Sequence, residues 1–420
     1  MDIKTDTLII GAGQAGLLTS QALSKRGIDH LLLEKETVAH KWKTARWDSL
    51  LLQQPNWISH LPDFPYVPAL TDPDGFPTAT QMYDFLVSFA DKIEAPVRCG
   101  IAVEGLRHDG PEATFIADTS QGAFHANSVV IATGSLQVPR RPNFLSGRTD
   151  ILQISASEYR NPGQLSGGAI LVVGGGNSGC QIAEDLRRAG REVVLSLDRH
   201  RRVPRRYRGK DLFWWFRESG VLNTPAEEMP VDTSPLVFAG GGNTIDMRRF
   251  AQDGIYVTGS LAGLEGDTLV FNDDLGAILD HGDRHYHGLL DRFDLLAQKR
   301  GPHLPDDAGA RYSWPDSPCI TEPIRRIDLG DAQINSVIWA TGYRTDYSWV
   351  ELPVFTPEGK PHHHHGVTDI PGLYFIGLPW QVNLSSGFIF GVRNDADMLA
   401  SVIAARAADS GAFRASGRKS

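Results

Sequence analysis

Three glycines near the amino terminus have the spacing of a phosphate-binding turn. Gly11, Gly13 and Gly16 fill a G-x-G-x-x-G pattern directly after a short apolar run. The first glycine of such a pattern allows a tight turn out of a strand, the second lets a pyrophosphate approach the backbone, and the third lets the next helix pack on the strand. Glu34 ends a second apolar run about 20 residues further on, where a carboxylate can bind both hydroxyls of a ribose. The stretch therefore predicts a dinucleotide site on a strand–helix–strand unit.

A second copy of the same pattern lies in the middle of the chain. Gly174, Gly176 and Gly179 follow the apolar run 169–173, and residues 180–189 have helical spacing before another apolar run begins. An internal repeat of a βαβ unit indicates that the chain binds two dinucleotides.

The residues after the second unit bear on the choice of nucleotide. The position equivalent to Glu34 falls near Ser196 and Leu197, and Asp198 and Arg199 come next. An arginine fork matches the oxygens of a ribose 2′-phosphate, whereas an aspartate favours the free hydroxyl. A stretch that is merely basic and solvated is the plain alternative. We expect NADPH rather than NADH, because four more arginines follow: Arg201, Arg202, Arg205 and Arg206.

Length and composition limit the class of protein. The 420 residues exceed what one core usually supports, so at least two domains are expected. The net charge of −9 argues against nucleic acid or an anionic membrane as a partner. No apolar run approaches a membrane span, and the chain enters a strand almost at once, so neither an anchor nor a signal peptide is expected. Cys99, Cys180 and Cys319 form no C-x-x-C, which suits a reducing cytoplasm and argues against dithiol chemistry.

Apolar patterns predict the remaining elements and an α/β fold with two Rossmann-like, three-layer domains. Helices are predicted over residues 81–93, 289–299 and 395–407, and strands over 96–103, 128–131, 336–339 and 373–376.

A long segment rich in aromatic residues follows Glu34 and has little helical period. Its tryptophans, Trp42, Trp47 and Trp57, argue against disorder, and long structured loops are usually functional. These side chains are suited to excluding water from a site. Ordinary core packing is the alternative for each of them.

The chain resembles flavin-containing monooxygenases and their bacterial relatives along nearly its whole length. The resemblance is carried by the two glycine turns and by strand ends that both read Ala-Thr-Gly, at 132–134 and 340–342. Its other telling pieces are the sequences Ser-Glu-Tyr-Arg-Asn-Pro at 157–162, Gly-Asn-Ser-Gly at 176–179 and Tyr-Phe-Ile-Gly at 374–377.

The resemblance implies that the first turn holds FAD and the second holds NADPH, with the NADPH domain inserted into a split FAD domain. On this basis residues 1–150 and 326–420 form the FAD domain, which ends in a C-terminal helix, and residues 151–325 form the NADPH domain. The residues expected to contact FAD are Gly11, Ala12, Gly13, Gln14, Ala15, Gly16, Glu34, Lys35, Trp42, Val103, Thr133, Gly134, Gly377 and Leu384. Those expected to contact NADPH are Gly174, Gly176, Asn177, Ser178, Gly179, Arg199, Arg206, Thr341 and Gly342.

The chain departs from the family at positions tied to oxygen chemistry. The family signature has a histidine four residues before Tyr159, where this chain has Ser155. Gln53 aligns with the catalytic asparagine of the family, and Gln53 or Gln54 could donate a hydrogen bond to the flavin or to a peroxide. An ordinary hydroxyl before a turn and a satisfied loop amide are the alternatives. Tyr159, in place of a tryptophan, favours the branch that oxidises amines and sulfides.

The resemblance implies an oxidoreductase in which NADPH passes a hydride to the flavin. The reduced flavin then reacts with O₂, and a C4a-hydroperoxyflavin gives one oxygen atom to a small organic substrate. Two other functions are compatible with the departures. One is an NADPH oxidase or flavin reductase without oxygen transfer, and the other is a redox sensor that holds both nucleotides without turnover. We expect the protein to be a monomer or a homodimer.

The run of four histidines from His362 to His365 is predicted not to bind a metal ion. Four consecutive residues cannot converge on one ion without a special backbone conformation, and Pro361 and Gly366 mark the run as part of a loop. No metal is therefore expected.

The nucleotide preference can be tested at Arg199. Replacing Arg199 by Ala is expected to raise the KM for NADPH far more than the KM for NADH, because the 2′-phosphate loses its guanidinium partner. Steady-state kinetics with both nucleotides measure this. Equal effects on the two KM values would remove Arg199 from this role.

Overall fold

The two largest sheets of the described chain are a mixed sheet and a parallel sheet. The computed structural model describes residues 3–109, 114–300 and 304–417. The strands before residue 140 are β1 (Ile3–Ile10), β2 (His30–Glu34), β3 (Val97–Cys99), β4 (Val103–Asp109), β5 (Thr114–Thr119), β6 (Gly122–Ile131) and β7 (Val138–Pro139). The later strands are β8 (Leu152–Ser155), β9 (Ala169–Val173), β10 (Val193–Ser196), β11 (Arg201–Arg202), β12 (Arg206–Tyr207), β13 (Lys210–Asp211), β14 (Leu236–Val237), β15 (Tyr256–Thr258), β16 (Leu261–Glu265), β17 (Thr268–Phe271), β18 (Arg326–Asp328), β19 (Ile334–Trp339), β20 (Tyr343–Arg344) and β21 (Leu373–Phe375).

The described residues also form nine α-helices. They are α1 (Gln14–Ser24), α2 (His40–Thr44), α3 (Ala79–Lys92), α4 (Asn177–Arg188), α5 (Leu212–Glu218), α6 (Met247–Gln252), α7 (Leu275–Arg300), α8 (Pro318–Thr321) and α9 (Val392–Gly417). Single turns of 3-10 helix lie at Asn56–Ile58, Val67–Leu70, Pro162–Gln164, Val221–Asn223, Ala226–Glu228, Ala308–Arg311 and Leu384–Gly387. None of the described helices combines the length and the apolar character needed to span a lipid bilayer.

The first sheet has the strand order β3-β2-β1-β6-β5-β4, and β21 pairs with the end of β6. The strands β3, β2, β1, β6 and β21 are parallel, and β4, β5 and β6 form an antiparallel meander. The second sheet, β15-β10-β9-β19-β8, is parallel throughout. Every residue of β9 is buried, as expected for a strand covered on both faces.

The second sheet is inserted between β6 and β21 of the first, so the predicted α/β architecture with two Rossmann-like domains is confirmed. Strand β19 lies in the second sheet, and the domain built around this sheet therefore extends past residue 325. We propose a boundary near residue 340. A short antiparallel pair, β7 with β20, joins the two domains.

Two of the predicted elements differ from the observed ones for local reasons. The strand predicted over 96–103 is interrupted, because Gly100 adopts a left-handed φ of +74° between β3 and β4. The helix predicted over 289–299 is the second half of α7, which begins at Leu275. Glycines at 276, 282 and 288 weaken the helical pattern of the first half, although that half packs Ile278, Leu279 and Tyr286 into the core.

The loop between β2 and α3 leaves the first sheet and packs against the second. Trp47 and Leu50 are buried in the same hydrophobic cluster as Ile170 of β9. The Asp48 peptide N–H donates to the Arg160 carbonyl at 2.8 Å. Trp57 packs on the aromatic cluster of α5, with the Arg217 guanidinium 4.7 Å above its ring. Residues 46–57, the seam loop, therefore hold the two domains together.

A buried ion pair reinforces the seam loop from the second domain. Arg205 is fully buried, bonds Asp211 at 2.7 Å and donates from its Nη1 to the Gln53 carbonyl at 2.8 Å. Its guanidinium also lies 4.5 Å above the ring of Phe76. Because a buried guanidinium needs its partners to offset desolvation, this contact fixes the path of residues 53 and 54.

Asp395 is a buried acid in the first turn of α9, with 2% of its surface exposed. Burial raises the pKa of Asp395 from 3.8 to about 6, although a hydrogen bond from Ser386 opposes the shift. Between about pH 4 and pH 6 the folded chain therefore keeps a proton on Asp395 that the unfolded chain has lost. The free energy of unfolding falls as the pH rises through this range.

Replacing Asp395 by Asn is expected to remove this pH dependence. The gain in unfolding free energy relative to the wild type should be roughly 2 kcal/mol larger at pH 8 than at pH 4.5, since each pKa unit is worth about 1.4 kcal/mol. Urea unfolding at both pH values measures it. Asp397→Asn, at an exposed position of the same helix, is the matched control and should show no such difference. An equal gain for Asp395→Asn at both pH values would contradict the prediction.

Candidate nucleotide-binding and active site

The first glycine turn leaves the amino-terminal N–H groups of α1 open to a ligand. Gly11 has φ +110° and its N–H donates to the Leu33 carbonyl at 2.8 Å, which closes the turn. Gly13 precedes α1 without any side-chain cap, and a Cβ built on it meets no atom within 4 Å. Uncapped first-turn N–H groups attract anions. The turn thus fits a diphosphate.

Gly16 has a different task in the same turn. A Cβ built on Gly16 would lie 2.0 Å from the Gly11 carbonyl oxygen, a distance that no side chain tolerates. The close contact of α1 with the turn therefore requires glycine, as the sequence pattern predicts.

Glu34 lies at the carboxyl end of β2, beside the first turn. Its Oε2 accepts from the Ala12 N–H at 2.9 Å, and its Oε1 accepts from the Glu36 N–H at 3.1 Å. A carboxylate has about four lone-pair sites, so two remain for ribose hydroxyls. Both the position and the remaining acceptor capacity suit the predicted role.

A cleft of about 600 Å³ opens along this turn. Most of the residues predicted to contact FAD line it. They are Gly11, Gly13, Gln14, Ala15, Glu34, Lys35, Trp42, Val103, Thr133, Gly134 and Gly377. Ala12 and Gly16 support the turn from behind. Leu384 is not among the lining residues, and its N–H donates to the Thr224 carbonyl at 3.0 Å.

Three cations gather in the cleft. Lys35, Lys41 and Arg46 all line it, and the Arg46 guanidinium lies 5.2 Å above the ring of Trp42. Burial, and then the positive charges of Lys35 and Arg46, hold the pKa of Lys41 below its usual value. Burial also lowers the pKa of Arg46. Cations that repel one another in a cleft are stabilised by an anion, so this charge distribution fits a dinucleotide diphosphate.

Several residues that line this cleft were not predicted from the sequence. Lys41 and Arg46 flank Trp42, and this basic–aromatic spacing in a long loop was a signal that could have identified them. Gln137, Asp346 and Trp349 carry no such signal. The crossing strands β7 and β20 bring them to the cleft from the connections between the two domains.

The second glycine turn repeats the geometry of the first. Gly174 has φ +118°, and its N–H donates to the Ser196 carbonyl at 2.9 Å. A Cβ built on Gly179 would lie 1.9 Å from the Gly174 carbonyl, whereas one built on Gly176 meets nothing within 4 Å. Helix α4 also starts without a side-chain cap. This turn fits a second dinucleotide.

The two Ala-Thr-Gly strand ends have the same place beside their turns. A Cβ on Gly11 would meet the Ala132 carbonyl oxygen at 2.7 Å, and one on Gly174 would meet the Ala340 carbonyl oxygen at 2.5 Å. Gly342 has φ +82°, and the Thr341 hydroxyl donates to the Arg140 carbonyl at 2.6 Å. In both Ala-Thr-Gly motifs, the alanine carbonyl therefore makes the same close contact with the first glycine of the neighbouring turn.

Asp198 and Arg199, the two residues that bear on the choice between NADH and NADPH, both lie beside the second turn. Asp198 accepts from the Gly175 N–H at 3.0 Å, as Glu34 does from Ala12 in the first turn. Arg199, whose side chain is 64% exposed, lies 3.8 Å from the Asp232 carboxylate and contacts His281. Arg199 is thus held at the open surface beside the turn.

Other residues predicted for NADPH have structural contacts of their own. The Asn177 amide accepts from the Phe238 N–H at 2.7 Å and donates to the Leu236 carbonyl at 3.1 Å, which ties α4 to β14. Ser178 follows it in the first turn of α4. Arg206 lies in the β12–β13 hairpin, where its guanidinium reaches the Asp74 carbonyl at 3.3 Å.

The three candidate catalytic residues lie apart from the cleft lining. The Gln53 carbonyl is bound by Arg205, and Gln54 is buried with no partner for its Oε1 among the described residues. Ser155 donates from its hydroxyl to Glu158 at 2.6 Å, and its N–H donates to the same carboxylate oxygen. A buried amide oxygen without a partner marks Gln54 as a residue that a ligand or water would satisfy.

Two uncapped glycine turns, each at the carboxyl end of a parallel strand in its own sheet, define a protein that binds two dinucleotides. Comparison with known proteins agrees. Residues 8–210 match the pyridine nucleotide-disulphide oxidoreductase family. The chain is 33% identical over 399 residues to an "uncharacterized oxidoreductase CzcO-like" of Geobacillus kaustophilus, covering 94% of this chain and 97% of the relative. It is 30% identical over 395 residues to the indole-3-pyruvate monooxygenase YUCCA1 of Oryza sativa, covering 88% and 86%.

Solved structures show the same fold. A flavin-containing monooxygenase from Stenotrophomonas maltophilia superposes with a TM-score of 0.66 at 18% identity, covering 96% of this chain and 99% of that one. An NADP⁺-bound cyclohexanone monooxygenase from Rhodococcus superposes with a TM-score of 0.56 at 15% identity, covering 96% and 85%. The chain belongs to the flavin-containing monooxygenase-like family of two-dinucleotide flavoproteins. It is an oxidoreductase whose cofactors are FAD and NADPH.

The second and third glycines of the first turn, Gly13 and Gly16, make a matched pair for mutation. Gly13→Ala is expected to leave the apoprotein stable, since a Cβ finds open space there, but to weaken FAD binding at least about tenfold by blocking an N–H contact to the diphosphate. Gly16→Ala is expected to destabilise the apoprotein by at least about 3 kcal/mol, because its Cβ meets backbone. Urea unfolding and FAD titration separate the two effects. Similar behaviour of both variants would contradict the assignment.

Proposed function

We propose that the protein is a monooxygenase that uses FAD and NADPH to add one oxygen atom of O₂ to a small organic substrate. NADPH, a proton and O₂ are consumed, and NADP⁺, water and the oxygenated substrate are formed. When bound, the flavin would provide the redox chemistry, which consists of hydride acceptance from the nicotinamide and reaction with O₂. The residues of the chain have to bind, orient and shield it.

The arrangement of the cysteines carries this proposal. Cys99, Cys180 and Cys319 are all free, and the buried Cys180 thiol contacts the Gly175 carbonyl at 3.3 Å. Burial raises the pKa of Cys180, which makes it a poor nucleophile. The chain therefore offers no protein disulfide to accept electrons from NADPH, and we propose a small molecule as the acceptor. The monooxygenase name of the rice relative favours O₂.

Each dinucleotide has a proposed set of binding groups. We assign the first diphosphate to the α1 amino terminus with Lys35, Lys41 and Arg46, and the first ribose to Glu34. The second diphosphate is assigned to the α4 amino terminus, and the 2′-phosphate to Arg199. These assignments rest on the open glycine positions and on the positive charges described above.

Shielding from water is assigned to the seam loop and to Trp42. Trp42 lines the cleft, whereas Trp47 and Trp57 anchor the loop in the second domain. Gln54 lies on this loop outside the cleft lining, and its buried Oε1 has no partner among the described residues. We therefore propose Gln54, ahead of Gln53, as the glutamine whose amide a bound molecule or water would satisfy.

We propose nitrogen and sulfur nucleophiles as substrates, because Tyr159 in place of a tryptophan resembles the branch of the family that oxidises amines and sulfides. Its phenol is buried and donates to Asp185 at 2.7 Å, so it acts as a packing residue of the NADPH domain. A second function, NADPH oxidation without oxygen transfer, is favoured by Ser155. Its hydroxyl and N–H are both bound to Glu158, within a turn.

Oxygen-isotope labelling distinguishes the two functions. The FAD-loaded protein is supplied with NADPH, ¹⁸O₂ and in turn a tertiary amine, a thioether and a 2-oxo acid. Oxygen transfer predicts one ¹⁸O atom in the product of at least one compound and an NADPH consumption that rises with that compound. The control omits the organic compound and measures peroxide. If peroxide accounts for all the O₂ consumed with every compound, the oxidase function is correct instead.

A further inference from the structure

Two histidines of the 362–365 run meet a carboxylate from the other domain. The Nε2 atoms of His365 and His364 lie 3.2 and 3.7 Å from Oε1 of Glu227. One ligand atom from each of the three residues lies within 4.8 Å of the others. Among the described residues, this is a group of chemically suitable atoms that the oxidoreductase function does not use.

The distances match those between ligands of one small metal ion. Zinc binds imidazole nitrogen and carboxylate oxygen at about 2.0–2.2 Å in tetrahedral geometry, which places neighbouring ligand atoms about 3.3 Å apart. The two nitrogen–oxygen distances of 3.2 and 3.7 Å lie on either side of this value. Both nitrogen–oxygen distances are therefore close to the spacing that a tetrahedral zinc ion sets between its ligands.

The backbone of the run has the unusual conformation that such convergence requires. His365 adopts a left-handed φ of +51°, which is uncommon for a residue with a side chain, and Gly366 follows at +90°. The reversal stacks the His364 and His365 rings with centroids 4.0 Å apart. The other two histidines point elsewhere. His362 pairs with Asp369 at 3.2 Å, and His363 accepts from the Gly366 N–H at 3.1 Å. The amino-acid sequence alone does not reveal this backbone conformation, and without it the histidines were not expected to converge.

We propose that Glu227, His364 and His365 bind a divalent transition-metal ion of the zinc type. Two imidazoles and one carboxylate suit zinc and its neighbours, whereas magnesium and calcium prefer an all-oxygen shell. His364 and Glu227 have 80% and 59% of their side chains exposed, which leaves room for a water as the fourth ligand.

The site would fasten a turn in the chain segment of the second sheet to a loop that precedes β21 of the first sheet. Glu227 lies on the 3-10 turn Ala226–Glu228, in the chain segment of the second sheet. The Ala226 N–H donates to the Val382 carbonyl at 2.9 Å, and the Leu384 N–H donates to the Thr224 carbonyl at 3.0 Å. A metal ion bound by Glu227, His364 and His365 would add to these backbone hydrogen bonds a further link between the two domains. A metal that binds only the folded chain also raises its stability.

Calorimetric titration tests the proposal on the tag-free, FAD-loaded protein after dialysis against a chelator. ZnCl₂ is expected to bind at one site and to raise the melting temperature, and MgCl₂ is expected to do neither. Glu227→Gln and His365→Ala should each weaken zinc binding at least about tenfold, as the loss of a ligand costs no less than the loss of a supporting contact.

His362→Ala is the matched control, since this histidine lies in the same loop but pairs with Asp369. Its zinc affinity should equal that of the wild type. Equal zinc binding by the wild type, Glu227→Gln and His365→Ala would overturn the proposal. So would the lack of binding by the wild type at 1 mM ZnCl₂, which would leave the three residues as an ordinary ion pair. Neither outcome depends on turnover, so the proposed monooxygenase function stands or falls separately.

Discussion

The contact between the third glycine and the first glycine of each turn is the constraint on which the rest of this structure depends. At both turns a single added carbon would lie about 2 Å from a carbonyl oxygen. This contact brings the helix close to its strand and aims uncapped N–H groups at the space where a diphosphate fits. Without it, neither the cleft nor its position relative to Glu34 would exist.

The two turns differ in what surrounds them, although their backbones agree. The first turn faces a cleft with three cations, where burial and then repulsion between the cations keep the pKa of Lys41 low. The second turn has an exposed Arg199 near Asp232 and His281. An exposed arginine suits a nucleotide that enters and leaves in each cycle. We propose that the second turn binds the nucleotide consumed in the reaction and that the first turn binds the cofactor that stays.

Local patterns made much of this structure predictable. The glycine turns, their strands and the acid at Glu34 follow from short-range sterics, so the sequence reveals them directly. The Ala-Thr-Gly repeats were equally visible, although their shared contact with the glycine turns was not. Groups from distant segments were harder to foresee. Asp346 reaches the cleft through a crossing strand pair, and Glu227 meets two histidines more than a hundred positions away.

Some long-range features were missed because the local sequence pattern was unfavourable to them. The early half of α7 has glycines that break its helical signal, and tertiary packing of Ile278 and Leu279 restores the helix. The histidine run seemed unable to converge, because the left-handed conformation of His365 is uncommon for residues other than glycine. In the helix, tertiary packing decided the outcome against the local preference, and at the histidine run the backbone places two of the four imidazoles side by side.

The seam loop has a consequence for how this protein could be cut or recombined. By position it belongs to the amino-terminal unit, yet Trp47 and Leu50 are buried among residues of the other sheet. A chimera that exchanged the nicotinamide-binding module for that of a relative would expose these side chains to solvent unless the loop travelled with the new partner. A working chimera would therefore have to exchange the inserted module together with residues 46–57. Recombination between relatives during evolution would have to keep these two parts of the chain together.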